Sequence, residues 1–333
     1  MMKLQLGAAS PSAGPDSRKS IWWHSRVNQE ARRFSKMAMT ADDILAHPVL
    51  AAAVQSQAQA LLLIHQASPR PASPFATQHR WLMAQAALAA YFRNEAQQTG
   101  SGLPAQRFVD VIDGHNLASR DTAAVFVNEM LKYGVARHVV GSEGRRRRPI
   151  EPSPTTLEVL SHFLLAHLAT LDRLDGGARS AVLREQPAML GALQPLVADG
   201  LLASRAVRQP RGPFSLFTWI DDGGVVMDSL VVGCRQEPVG LTRIPTDVTS
   251  VSALARRLNL SRSQLGRKFA AAEAMGCLGW SGARGKSALW VSAAFWREYH
   301  IAQAVKLAII DAAVAVVFAH GVRAPAFAAV ASP

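Results

Sequence analysis

A mainly helical fold with small β elements, α+β in class, is what this sequence predicts, and three observations predict it. Long stretches place apolar residues three and four apart behind residues that cap helices. Two short strand-like stretches, at 135–140 and 278–291, each turn through a tip rich in glycine and basic residues. Those two stretches belong to blocks that repeat at an offset of 143. With 333 residues, 49% hydrophobic and 18% charged, the chain holds apolar material for two or three domains, which excludes a disordered tail protein.

In chain order, residues 1–38 are rich in Ser and Arg without an apolar period and are expected to be a disordered basic tail. Thr40 with Asp43 signals a capped helix carrying Ile44, and Pro48 starts a segment running to about His65. The prolines of 68–74 break it. A long amphipathic helix follows over 74–97 with Trp81, Ala84, Leu88 and Phe92 on one face, ended by the glycines at 100 and 102. A short helix over 104–113, a turn at Gly114-His115-Asn116-Leu117 and a helix capped by Ser119 come next, stopped by Gly134. Residues 135–140 then alternate like a strand, and 141–149 read as a hairpin tip with a very basic return limb.

Ser153-Pro154 opens a new helix with Leu157, Leu160, Leu164, Leu168 and Leu171 in one stripe, until Gly176-Gly177. One or two more helices fit 178–202. Residues 214–220 look like a strand, Asp221-Asp222-Gly223-Gly224 like a turn, and 225–232 fit either a strand or a short helix. A last apolar helix is expected over 296–318, with Trp296, Tyr299, Val305 and Ile309, packing on the middle of the chain or on a second copy.

The net charge of +12 gives a pI near 10.6 and favours a polyanionic partner. It is localised: +5 over 1–38, 0 over 39–104, +3 over 105–150, −3 over 151–242, +6 over 243–300 and +1 over 301–333. Two basic blocks thus flank an acidic, leucine-rich middle, the pattern of two polyanion-contacting modules joined by a packing region. The expected domains are the tail at 1–38, a first module with leading helices at 39–150, a helical linker or dimerisation region at 151–242, and a second module with its C-terminal helix at 243–333.

In the repeat, Asn116-Leu117 matches Asn259-Leu260 and Phe126 matches Phe269 at an offset of 143, while Gly134 matches Gly276 at 142. Val251, Leu254, Ala255 and Leu258 form a short amphipathic helix, and Ser261 caps a helix with Leu265, Phe269, Ala272 and Met275 on its buried side. The ribbon of this second copy is Leu278-Gly279-Trp280, a tip at 281–286, and a return through Leu289 and Val291.

These two blocks resemble the winged helix-turn-helix of bacterial transcription regulators, present twice over about half the chain. The first copy, with its long leading helix and the leucine-striped helix after the wing, is similar to the MarR type. The resemblance implies two winged-helix modules joined by a helical middle, sequence-specific binding of double-stranded DNA and transcription regulation. It also implies a small-molecule effector and a homodimer, although two modules in one chain already supply what a regulator dimer supplies. Two other functions use the same modules: a plasmid-type replication initiator and a protein-interaction scaffold.

Reading duplex DNA takes an element narrow enough for the major groove, and the first turns of a helix meet that need. The second copy offers Ser261, Arg262, Ser263, Gln264, Arg267 and Lys268 there; the first offers Ser119, Arg120 and Thr122, with Asp121 opposing phosphate. Wing contacts to phosphate or minor groove fall to Arg145, Arg146, Arg147 and Arg148 in copy one and to Arg284 and Lys286 in copy two.

No catalytic chemistry asks for these residues, and no enzyme, cofactor or metal is expected. Gly285-Lys286-Ser287 lacks the glycine a phosphate-binding loop needs five positions earlier, where Trp280 stands. His162 and His167 are five apart, off one helical face, and no nucleophile elbow occurs. Cys234 and Cys277 can form neither a disulfide scaffold nor a paired zinc motif, so a reducing cytoplasm is expected. The apolar stretch at 307–319, interrupted by Asp311, is shorter than a membrane span, so no membrane partner is expected. Phe214, Phe217 and Trp219 read either as core or as the lining of an effector pocket.

Overall fold

Side-chain caps set most of the helix starts. In α1 (Ala41–Leu45) the Thr40 hydroxyl accepts the Asp43 N–H while the Asp43 carboxylate accepts the Thr40 N–H, a reciprocal box. Helix α2 (Leu50–Ala67) follows, and α3 (Gln78–Gln97) is capped by Thr77, so it begins four residues later than Pro74. The computed structural model describes residues 38–67, 77–144, 148–210, 212–218, 223–234 and 240–319. The tail expected at 1–38, save its last residue, the break at 68–74, Arg145, Arg146, Arg147, Trp219 and the Asp221-Asp222 turn lie outside the described residues.

Strand β1 (Leu103–Pro104) leads into α4 (Ala105–Gly114) and α5 (Arg120–Lys132), then β2 (Ala136–His138) and β3 (Pro149–Pro152). The leucine-striped α6 (Pro154–Asp175) is capped by Ser153, has its proline in the first turn and ends on Gly176 at φ 73°. The middle continues through α7 (Arg179–Glu185), α8 (Met189–Ala203) and α9 (Arg205–Arg208). Next come α10 (Gly212–Thr218) and α11 (Gly223–Val232), which correct the strand expected over 214–220 and resolve 225–232 as helix. A short apolar run reads alike as strand or helix; no strand among the described residues pairs with this one, and Phe217 packs edge-on against Phe295 at 5.5 Å instead.

The second block is β4 (Arg243–Pro245), α12 (Val251–Arg257), α13 (Arg262–Ala274), β5 (Leu278–Trp280) and β6 (Leu289–Ser292), followed by α14 (Ala293–Ala319). Among the described residues the architecture is therefore mainly α with two small antiparallel sheets, ordered β1-β3-β2 and β4-β6-β5. In each, the strand ahead of the helix pair and the strand ahead of the tip both flank the last strand.

Local rules explain why the two blocks match. Asn116 (φ 51°) and Asn259 (φ 55°) are left-handed, as are Gly134 (φ 71°) and Gly276 (φ 68°). Asparagine and glycine tolerate that region, and each closes a helix end by a six-to-one bond: Leu117 N–H to Ile112, Leu260 to Ala255, Val135 to Met130 and Cys277 to Ala272. The copies differ by one residue in the turn between Asn and the capping Ser. Within the helix the offset is thus 142, and Ala123, Val127 and Met130 occupy the core positions of Leu265, Phe269 and Ala272. Phe126 therefore answers to Lys268 rather than Phe269. Met275, expected inside, is 56% exposed, because α13 ends at Ala274 and the stripe stops with it.

The core runs through the middle. Helix α8 lies against α3 and α14, α2 against α6 and α11, and α1 against α14. Leu164, Leu168 and Leu171 of α6 are fully buried, as are Tyr299, Leu307 and Ile310 of α14. At 27 residues α14 is long and apolar enough to cross a membrane, but half of its most apolar window is buried inside the protein. Arg179, 4% exposed, ties α6 and α7 to α14 by donating to Asp311 (2.9 Å), Asp175 (2.6 Å) and Asp172 (3.4 Å), and Asp311 also accepts the Met39 N–H at 2.8 Å.

Candidate nucleic-acid interface

The two blocks present the same backbone, but their helix pairs differ in charge. On α13 the Ser261 hydroxyl caps the helix by accepting the Gln264 N–H at 3.4 Å. Leu265 and Phe269 are buried against α12 and the sheet, which turns Arg262, Ser263, Gln264 and Arg267 outward; all four are exposed and Lys268 is half-buried. Neither Arg262, Arg267 nor Lys268 forms an ion pair with any described residue. The helix starts with its free N–H groups beside these side chains, where the helix dipole also favours an anion.

On α5 the counterpart of Arg262 is Arg120, and it is compensated. Its guanidinium donates to Asp110 at 2.8 Å and to Asp113 at 3.2 Å, both on α4. Hydrogen bonds from Gln106 and then Arg120 hold the Asp110 carboxyl below the usual carboxylate range. In the second block the equivalent positions on α12 are Ala253 and Arg256, so nothing there faces Arg262 with negative charge. Across the two helices and turn, the first block sets Arg107, Arg120 and Lys132 against Asp110, Asp113, Asp121 and Glu129; the second sets five basic residues against Glu273 alone. Ser119 and Thr122 are exposed, but they are bonded to each other at 3.0 Å as cap and third residue. Arg208 of α9 donates to the His115 carbonyl (3.1 Å), holding the turn of the first block from behind.

The ribbon tips differ too. In the second, residues 281–286 are exposed, and Arg284 lies 3.7 Å from Glu273 at the far end of α13, which leans the tip toward that helix. The Ser287 hydroxyl shapes the tip by accepting Gly282 N–H (3.0 Å) and donating to the Ala283 carbonyl (3.0 Å), leaving Lys286 exposed. Stacking of Arg243 on Trp290, 4.6 Å from the ring centre, stiffens the sheet behind it. In the first, Arg148 is exposed just ahead of β3, while Glu143 turns back to accept the Gly141 N–H.

Of the three aromatics that read as core or as effector-pocket lining, Phe217 is wholly buried in the core and Trp219 lies outside the described residues. Phe214 does line a cavity, of about 290 Å³, between α2, α3, α6, α10, α11 and α14. Among its polar lining residues, Lys306, Asp228 and His65 were passed over in the sequence, although a lone lysine and a lone aspartate within apolar helical runs were the available signal. Comparison with protein-family models, curated proteins and solved structures returns no match.

Proposed function

We propose that this chain is a sequence-specific double-stranded DNA-binding protein acting as a transcriptional regulator, and that its second block is a winged helix-turn-helix that does the reading. The observation that carries the proposal is the uncompensated cationic first two turns of α13: Arg262, Gln264 and Arg267 point outward with no carboxylate among the described residues to hold them. Arg forks onto guanine and Gln onto adenine in the major groove, each good pair discriminating by roughly 1–3 kcal/mol. Lys268, Arg284 and Lys286 then supply phosphate contacts from the helix flank and the wing, which set register and not sequence.

The first block carries a second role in this reading. Its helix spends Arg120 on its own acids and exposes Val125 (56%) and Tyr133 (54%), a surface suited to protein and poorly suited to phosphate. In this reading the module is a second winged helix, which the matching strand order supports, used for contact with another protein rather than for base reading. Passing sheared genomic DNA over the purified full chain and sequencing the retained fragments tests the whole proposal. One enriched sequence family, lost in Arg262→Ala/Arg267→Ala, is the expected result; retention without enrichment, or enrichment that survives the double substitution, overturns it.

A further inference from the structure

Lys306 sits at a neck. The inner cavity of about 290 Å³ and a second, outer one of about 520 Å³ share Gln78, Phe214 and Lys306 as lining residues. The outer one reaches exposed residues of α9 and α14, Arg205 and Ile301. The Lys306 ammonium makes neither a hydrogen bond nor an ion pair with any described residue. Its one recorded contact is with the face of Trp81, 5.7 Å from the ring centre. An ammonium has three donors and no acceptor, and on this half-buried side chain no described residue accepts from them.

The neighbouring groups do not meet that need. Asp228, which lines the same inner cavity, is buried and accepts from the Tyr299 hydroxyl at 2.6 Å. Burial raises its carboxyl to about 6 against the pull of that bond and of Lys306, and burial likewise lowers the Lys306 ammonium. Glu298, in the outer cavity, is engaged by the Phe214 N–H at 3.0 Å. His65, 8% exposed on the inner wall, sets its Nε2 3.4 Å from the Leu258 carbonyl and keeps an Nδ1 that is buried without a partner. The rest of the inner wall is mainly apolar, including Leu61, Phe163 and Met227, and its buried glutamines Gln85 and Gln303 accept from Gln194 and Gln57.

We propose that this cavity is the binding site of a small amphipathic monocarboxylate, its carboxylate on Lys306 at the neck and its hydrocarbon or aromatic body in the inner chamber. One ammonium matches one negative charge; a phosphate dianion would face Asp228 with too few donors. The volume lies at the lower end of small-molecule pockets, and its apolar walls around a few polar groups are what such pockets need.

The walls lead to the second block. Next to Asp228 on α11, Ser229 accepts from Arg257 of α12 at 2.7 Å. His65 meets the carbonyl of Leu258, at the turn between α12 and α13. Helix α10, which carries Phe214 and Thr218 to the cavity, packs on α13. An occupant therefore touches three elements that hold the turn at 258–261, and filling the chamber steadies that turn.

The test uses the full chain without DNA, so its outcome is separate from that of the DNA-binding proposal. Titration calorimetry with 4-phenylbutyrate and decanoate is expected to show one site. Binding should be about tenfold weaker for 4-phenylbutan-1-ol, which has the shape without the charge, and for Lys306→Met, the scale of one charge-assisted hydrogen bond. Val159→Phe, which narrows the chamber from α6, should weaken binding of both acids; where circular dichroism finds Lys306→Met unfolded, this variant and the alcohol decide. Amide exchange over 258–261 should slow when 4-phenylbutyrate is added. No binding by either acid at millimolar concentration, equal binding of the alcohol, or unchanged affinity in a folded Lys306→Met or Val159→Phe overturns the site; unchanged exchange overturns the coupling.

Discussion

Replacing Arg262 and Arg267 by alanine is the perturbation whose size follows most directly from the structure. Five basic side chains share the α13 face and its wing: Arg262, Arg267, Lys268, Arg284 and Lys286. If all five neutralise phosphates, the logarithm of affinity falls with the logarithm of salt at a slope near −4.5, a loss of about 500-fold between 50 and 200 mM. Removing two brings the slope to about −2.7 and that loss to about 40-fold. If the two arginines instead fork onto bases, the slope stays and affinity for the preferred site falls by roughly 1–3 kcal/mol for each. The assay is fluorescence anisotropy of a labelled duplex, carrying the enriched site, over that salt range. Arg120→Ala is the control: its charge is already spent on Asp110 and Asp113, so slope and affinity should stay at the wild-type values. A double variant with wild-type slope and affinity, or an Arg120→Ala loss of equal size, refutes the assignment of the reading surface to the second block.

Three further outcomes concern the scaffold. Burial lowers His167 from its ordinary value to about 3, so it is neutral when folded; that contribution is complete above about pH 6.5 and is lost as pH falls toward 3. Asp228, raised to about 6, acts oppositely over roughly pH 4–6, so the clean measurement is the difference between wild type and His167→Leu. In urea unfolding that difference should shift by about 2 kcal/mol against the wild type from pH 7 to pH 5, and a constant difference contradicts the assignment. Gly200→Ala would place a Cβ 2.5 Å from Ile309 Cγ2, where α8 meets α14, and should cost about 1–3 kcal/mol in the same assay; an unchanged midpoint would mean that the contact gives freely. Asn259→Ala, forced into φ 55°, should cost about 1 kcal/mol, whereas Asn259→Gly should cost nothing, and equal losses would show that the side chain and not the backbone matters.

Caps and left-handed turns were legible in the sequence because they are local: a serine three residues ahead of an amide, or an asparagine at a helix end, acts within one turn of chain. Thr40, Ser119, Ser153 and Ser261 all cap as their positions suggest. The same locality made the repeat visible. What it missed at the edges, the strands β1 and β4 and the matching cap by which Ser292 Oγ accepts the Phe295 N–H as Ser153 Oγ accepts the Thr156 N–H, carried too few residues to show.

Packing decided the rest. Residues 214–218 are apolar enough for either structure, and they fold as a helix packed on α11, α13 and α14. Arg120 and Arg262 hold the same place in two copies of one motif, yet one is compensated, because the net field of an exposed arginine depends on the carboxylates the preceding helix brings to it, here at 2.8 and 3.2 Å. Lys306 reads as one lysine in an apolar helix; the chamber around it is made by six helices far apart in the chain. The sequence by itself determined the helices, their ends and the doubled motif, since short-range hydrogen bonding and periodicity act along the chain. Which copy keeps its positive charge, and where a cavity remains, was decided by tertiary structure, since both depend on groups that only folding brings together.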